Sequence, residues 1–148
     1  MIRKEFEPIQ QISEEALGQL VQRFYARVRQ DPLIGPVFND AICDWPEHLQ
    51  KLQAFWSSVM LTSGRYKGRP LPAHVKHAER IDAAAFRRWI ALWRQTTDEM
   101  FAPSVAATLQ EKAVRIGESL SLGMEFIEAG QRFPEGVPRI VPLKFSVY

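Results

Sequence analysis

Apolar residues in the first third of the chain recur at the spacing of a helix. Leu17, Leu20, Val21, Phe24, Tyr25 and Val28 fall within one arc at helical periodicity. Ser13, just ahead of them, reads as an N-cap, with Glu14 and Glu15 as acidic first-turn residues. Asp31-Pro32 ends the segment, because the residue before a proline is pushed out of the α region. Tyr25 sits near the edge of the arc, which points its hydroxyl into the interior. Gly35-Pro36-Val37-Phe38 reads as a turn whose apolar residues tuck inward.

A second start signal follows at Asp44-Trp45-Pro46-Glu47: Asp as cap, proline in the first turn, and glutamate three residues on as in a capping box. His48, Leu52, Phe55, Trp56 and Val59 then form one apolar face with a histidine at its head. From Thr62 to Pro72 the period gives way to glycine, proline and basic residues, a loop long enough to point to function. Asp82 caps a segment in which Phe86, Trp89, Ile90, Trp93, Thr97 and Met100 share a face. Pro103-Ser104 opens the last helix, with Val105, Leu109, Ala113, Ile116, Leu120 and Met124 inward and Gly130 as its stop. No repeat and no convincing strand pair interrupts this pattern. The expected fold is all-α, about four main helices in two packed layers over residues 1–130. The tail 131–148, with prolines at 134, 138 and 142, is expected to be extended or loosely docked.

Composition adds bounds. A chain of 148 residues is one domain, long enough to bury a core around a cofactor. Its four Trp, nine Phe and three Tyr either fill that core or line the cavity of a large flat ligand, and composition leaves both open. The net charge of +2 is nearly balanced and the basic residues are scattered, which argues against nucleic acid as a partner. No apolar run is long enough to span a membrane, and no apolar stretch behind Met1-Ile2-Arg3-Lys4 marks a secretion signal. A lone cysteine, Cys43, fits a reducing compartment, so the cytoplasm is the expected location.

The candidate chemistry centres on three histidines, His48, His74 and His77. His74 and His77 have the spacing of a helical metal pair, but a zinc site needs three or four ligands and no further Cys/His cluster stands nearby. No serine or cysteine lies in a nucleophile motif, and Gly64 and Gly68 belong to no phosphate-binding pattern. What remains is a histidine-centred site walled by aromatics. An isolated histidine after a loop, with Trp and Phe on neighbouring helices, is one way to hold haem iron by an axial bond and the porphyrin by packing.

Four segments in order, from about Leu17 to Leu120, resemble one known family. The run from Phe24-Tyr25 through Gly35-Pro36-Val37-Phe38 resembles the stretch carrying the distal tyrosine and the haem-contacting phenylalanine of truncated haemoglobins. Glu47-His48 followed by Phe55-Trp56 is similar to the distal helix of that family's third group. Tyr66-Lys67-Gly68-Arg69-Pro70-Leu71-Pro72-Ala73-His74 is similar to the loop delivering that group's proximal histidine, and Phe86-Arg87-Arg88-Trp89 to the stretch holding its distal tryptophan. The glycine pairs of other truncated globins are missing, as in the third group, and the tail beyond Gly130 has no counterpart.

This resemblance implies a truncated globin fold, a two-on-two helical sandwich around haem b, with His74 as the iron ligand. It implies Tyr25, His48 and Trp89 as the distal, ligand-stabilising residues. Phe24, Phe38, Leu52, Phe55, Trp56 and Tyr66 become cofactor contacts, with core packing an equal alternative for Trp56. Arg65, Lys67 and Arg69 either pair with haem propionates or are simply solvated. The implied function is binding of oxygen, nitric oxide or another diatomic ligand, with nitric oxide dioxygenation or peroxidase-like chemistry as the expected reaction. The alternatives are oxygen storage or carriage and a cofactor-free helical interaction module. No flavin or nicotinamide motif is present, so turnover calls for an external reductase. A monomer is expected.

Overall fold

The computed structural model describes residues 7–67 and 82–128, with 120–128 described by their backbone alone. Its helices are α1 (Glu14–Gln30), α2 (Gly35–Ala41), α3 (Trp45–Leu61), α4 (Ala83–Met100) and α5 (Pro103–Glu128). Three of them start at the predicted caps. The side chains of Ser13, Asp44 and Asp82 accept hydrogen bonds from the amides of Ala16, Glu47 and Ala85, each three residues on.

α1 buries the predicted face from Leu17 to Val28. It packs on α3 and on α4, while α4 packs along α5, so two helix pairs lie one on the other. The described residues contain no named strand. A single backbone bridge joins Ile9 to the corner between α4 and α5. The Ile9 amide donates to Met100, and its carbonyl accepts from Ala102.

Two expectations need correction. Residues 35–38 form not a turn but the first half of α2, with Pro36 in its first turn, where the missing N–H costs nothing. Gly35 permits this start: a Cβ there would lie 2.8 Å from the Arg29 carbonyl. The inward face of α4 also shifts along its length. Trp93, Thr97 and Met100 are buried as expected, joined by Ala85, Leu92 and Thr96, whereas Phe86, Trp89 and Ile90 are only half-buried. The first turns of α4 therefore leave large apolar side chains incompletely covered.

α1 and α4 are locked by a buried carboxylate. Asp31, at the C-cap of α1, accepts from the amides of Leu33 and Ile34 at 3.0 Å each and from Arg88 Nε at 2.7 Å. Burial opposes its charge, but the Ile34 amide, Arg88 and the Leu33 amide outweigh burial and hold its pKa below the usual carboxylate range. Asp31→Asn should cost about 1–3 kcal/mol, since Arg88 is left beside a neutral, poorer acceptor. The sign with pH follows. A depressed folded pKa contributes stability above the unfolded value and loses it as pH falls through the folded one. The gap between wild type and Asp31→Asn, measured by denaturant unfolding, should be full at pH 7 and should shrink below about pH 4.

Candidate functional site: an aromatic chain around Tyr25

Tyr25 is 4% exposed although it lies in the last turns of a surface helix. Its ring meets Phe24 edge-on at 4.6 Å between centroids, Phe38 of α2 at 5.8 Å and Trp45 of α3 at 6.0 Å. Three helices thus enclose one phenol. Burial pushes its pKa up to about 12, partly opposed by a hydrogen bond from Trp89. Indole N–H is a donor only, so Trp89 donates to the Tyr25 oxygen and the phenol keeps its own proton to give. A hydroxyl that accepts one hydrogen bond is polarised into a better donor for the next.

Trp89 owes its orientation to the core behind it. Its ring stacks on Trp93 at 6.0 Å and 11°, and meets Phe24 edge-on at 5.7 Å. Trp93 is fully buried, stacks on Trp56 at 4.4 Å and donates its N–H to the Leu109 carbonyl at 3.1 Å. Trp56, Trp93 and Trp89 therefore form a ladder whose last member alone is half-exposed.

The remaining candidates hang on the same chain of rings. His48 is half-buried and meets Trp45 edge-on at 5.9 Å, so Trp45 joins it to Tyr25. Phe55 contacts Trp56 at 5.7 Å and Tyr66 at 5.2 Å. Tyr66 is half-buried, its phenol pKa raised by that burial, and its amide donates to the buried Ser58 hydroxyl at 2.9 Å. Leu52 and Phe38 are half-buried against the core. Trp56 lies within the core rather than at its edge. His74, His77 and Arg69 lie outside the described residues. Of the basic loop residues, Arg65 pairs with Glu14, whose other oxygen accepts from Ser57 at 2.5 Å.

Sequence reasoning passed over Trp45 and Trp93 as parts of the site. Trp45 stands three residues before His48, one turn back on the same helix face, and that spacing was the available signal. Periodicity puts Trp93 in the core face, where it is, but does not reveal it as the support of Trp89.

No protein-family model matches the chain. It is 29% identical over 109 residues to the group 3 truncated hemoglobin of Campylobacter jejuni, covering 71% of this chain and 85% of that protein. The crystal structure of the group III truncated hemoglobin from Campylobacter jejuni superimposes with a TM-score of 0.72. It has 27% identity and covers 80% of this chain and 95% of that one. In both sequence and fold the chain is similar to the group III truncated haemoglobins. Its all-helical architecture is the truncated globin fold. The truncated haemoglobin family it resembles implies a haem cofactor and small diatomic ligands, which favours that reading over a cofactor-free module. No helix among the described residues is long and apolar enough to cross a membrane.

The described residues fit such a group. The buried Tyr25 phenol is fringed by the half-buried Phe38 and Trp89, while Leu52 and Phe86 are also half-buried against the core. That combination of flat apolar cover and few donors suits the face of a porphyrin.

Proposed function

We propose that this chain holds haem b through His74 and uses Tyr25, Trp89 and His48 to retain a diatomic ligand until it reacts. The observation carrying the reading is the burial of the Tyr25 phenol beside the half-exposed Trp89, both rings packed edge-on to Phe24. Haem supplies an iron that binds oxygen or nitric oxide and exchanges electrons with it. Everything else falls to the polypeptide. Tyr25 donates its proton to the electron-rich end of the ligand, in surroundings that exclude water and so strengthen the contact. Trp89 polarises that donor and keeps it aimed. Phe24 and Phe38 fix the ring, and Phe38, Leu52, Phe55 and Tyr66 supply apolar cover. Trp56 acts from behind, through Trp93.

Several aligned donors around one small ligand favour slow release. A carrier must release its cargo, whereas a dioxygenase or peroxidase gains from a ligand held until its partner arrives. Combining nitric oxide with oxygen to give nitrate consumes one electron per turnover, which an external reductase would supply. Stopped-flow mixing of the oxygen-loaded protein with nitric oxide should give rapid, stoichiometric nitrate. Fast spontaneous oxygen loss, with slow reaction toward both nitric oxide and peroxide, would instead support storage or carriage.

A further inference from the structure

We propose that Trp45, pinned by the guanidinium of Arg29, is a positioning residue of the distal pocket that sets the orientation of the Tyr25 ring. Trp45 is the first residue of α3 and is 8% exposed, unusual burial for a helix start. Its indole touches both polar candidates at once, Tyr25 at 6.0 Å and 44°, and His48 at 5.9 Å and 90°. The Arg29 guanidinium lies over it, 4.6 Å from the ring centroid, within the range of a cation–π contact.

The contact bridges helices that must keep register for the site to exist. Arg29 lies one turn after Tyr25 on α1, and Trp45 opens α3, which carries His48. The Arg29 carbonyl also accepts from Asn39 Nδ2 at 3.0 Å, which ties in α2 and with it Phe38. Tyr25 is thus walled by Phe24 on its own helix, by Phe38 through α2, and by Trp45 through α3. Among the described residues, Trp45 is the one of these walls with a guanidinium over its ring. Phe24 is sealed in the core, so its ring has no freedom to lose. Trp45 stands at a helix terminus, where its position depends on what grips it. Loss of the grip frees the face of Tyr25 turned toward Trp45, and the phenol oxygen swings off the line on which Trp89 aims it.

The proposal rests on Tyr25 as the ligand donor, and its test separates the two. The protein is labelled with 3-fluorotyrosine, and the Tyr25 fluorine resonance is assigned by its loss in Tyr25→Phe. In both the haem-loaded and haem-free protein, Trp45→Leu and Arg29→Gln should shift and broaden that resonance while leaving Tyr66 in place. Arg29→Lys, which keeps a cation, should restore most of it. Oxygen dissociation should accelerate about two- to fivefold in Arg29→Gln, as expected for losing one cation–π contact, and more in Trp45→Leu. Arg29 is exposed, so Arg29→Gln folds even if Trp45→Leu does not. An unmoved Tyr25 resonance in Arg29→Gln overturns the positioning role, whatever the ligand kinetics. A moved resonance with unchanged kinetics upholds the positioning and strikes instead at Tyr25 as donor.

Discussion

Replacing His74 with alanine should strip the purified protein of most of its haem, leaving a weak visible absorption band, whereas His77→Ala should retain a stoichiometric complement. The two histidines lie only three residues apart, so composition and local charge hardly change between the variants. What separates them is the resemblance of Tyr66-Lys67-Gly68-Arg69-Pro70-Leu71 and the residues up to His74 to the loop that delivers the proximal ligand. An axial imidazole is the one strong bond a globin makes to its cofactor, and the remaining hold is apolar packing. Without it the distal side offers a phenol kept neutral by burial and an indole, neither a good iron ligand at neutral pH. Free imidazole added to His74→Ala should restore part of the spectrum by filling the vacated ligand position. Far-ultraviolet circular dichroism should change little, because the described helices bury a core of their own from Leu17 to Ile116. An unaltered haem spectrum in His74→Ala, or loss of haem in His77→Ala alone, would move the ligand assignment.

How much of this was legible in the chain depends on the range of the interaction. Ser13, Asp44 and Asp82 act on amides three residues away, and their chemistry alone placed three helix starts. The face of α1 was equally legible, since several residues at helical spacing leave one arc to bury. α2 was not: seven residues hold too few turns for a period, and Gly35-Pro36 signals a turn and a helix N-terminus alike. Half-burial of Phe86, Trp89 and Ile90 was hidden because periodicity tells which side a residue faces but not what covers it. Several supports of the site are distant in sequence. Trp56 finds Trp93, Asp31 finds Arg88 57 positions later, and Arg29 finds Trp45 across α2. The residues proposed to touch a ligand came from family resemblance; those that hold them in place came only from the fold.

Tyr25→Phe should raise the oxygen dissociation rate roughly ten- to a hundredfold, the equivalent of a hydrogen bond to a charged acceptor worth about 1.5–3 kcal/mol. The ring and its contacts with Phe24, Phe38 and Trp45 survive the substitution, so packing is conserved and the hydroxyl alone is lost. The loss has two parts. The ligand forfeits the Tyr25 proton, and the indole N–H of Trp89 forfeits its acceptor. Freed of Tyr25, Trp89 can turn its donor to the ligand and recover some of the lost contact, though the stack on Trp93 and the edge contact with Phe24 limit that motion. Trp89→Phe alone should therefore cost less than Tyr25→Phe, and the double variant should be the fastest. The two changes should also couple non-additively, as expected of groups that share a hydrogen bond. Because burial pushes the Tyr25 pKa up to about 12, the phenol stays protonated throughout the physiological range. Its contribution, taken as the ratio of wild-type to Tyr25→Phe rates, should stay flat between about pH 6 and pH 9. Stopped-flow displacement of oxygen by carbon monoxide across that range measures both quantities. Equal rates in wild type, Tyr25→Phe and the double variant would remove Tyr25 and Trp89 from the ligand's surroundings. A ratio that collapses near pH 8 would mean that the phenol ionises in the holoprotein and that its burial is relieved when the cofactor is in place.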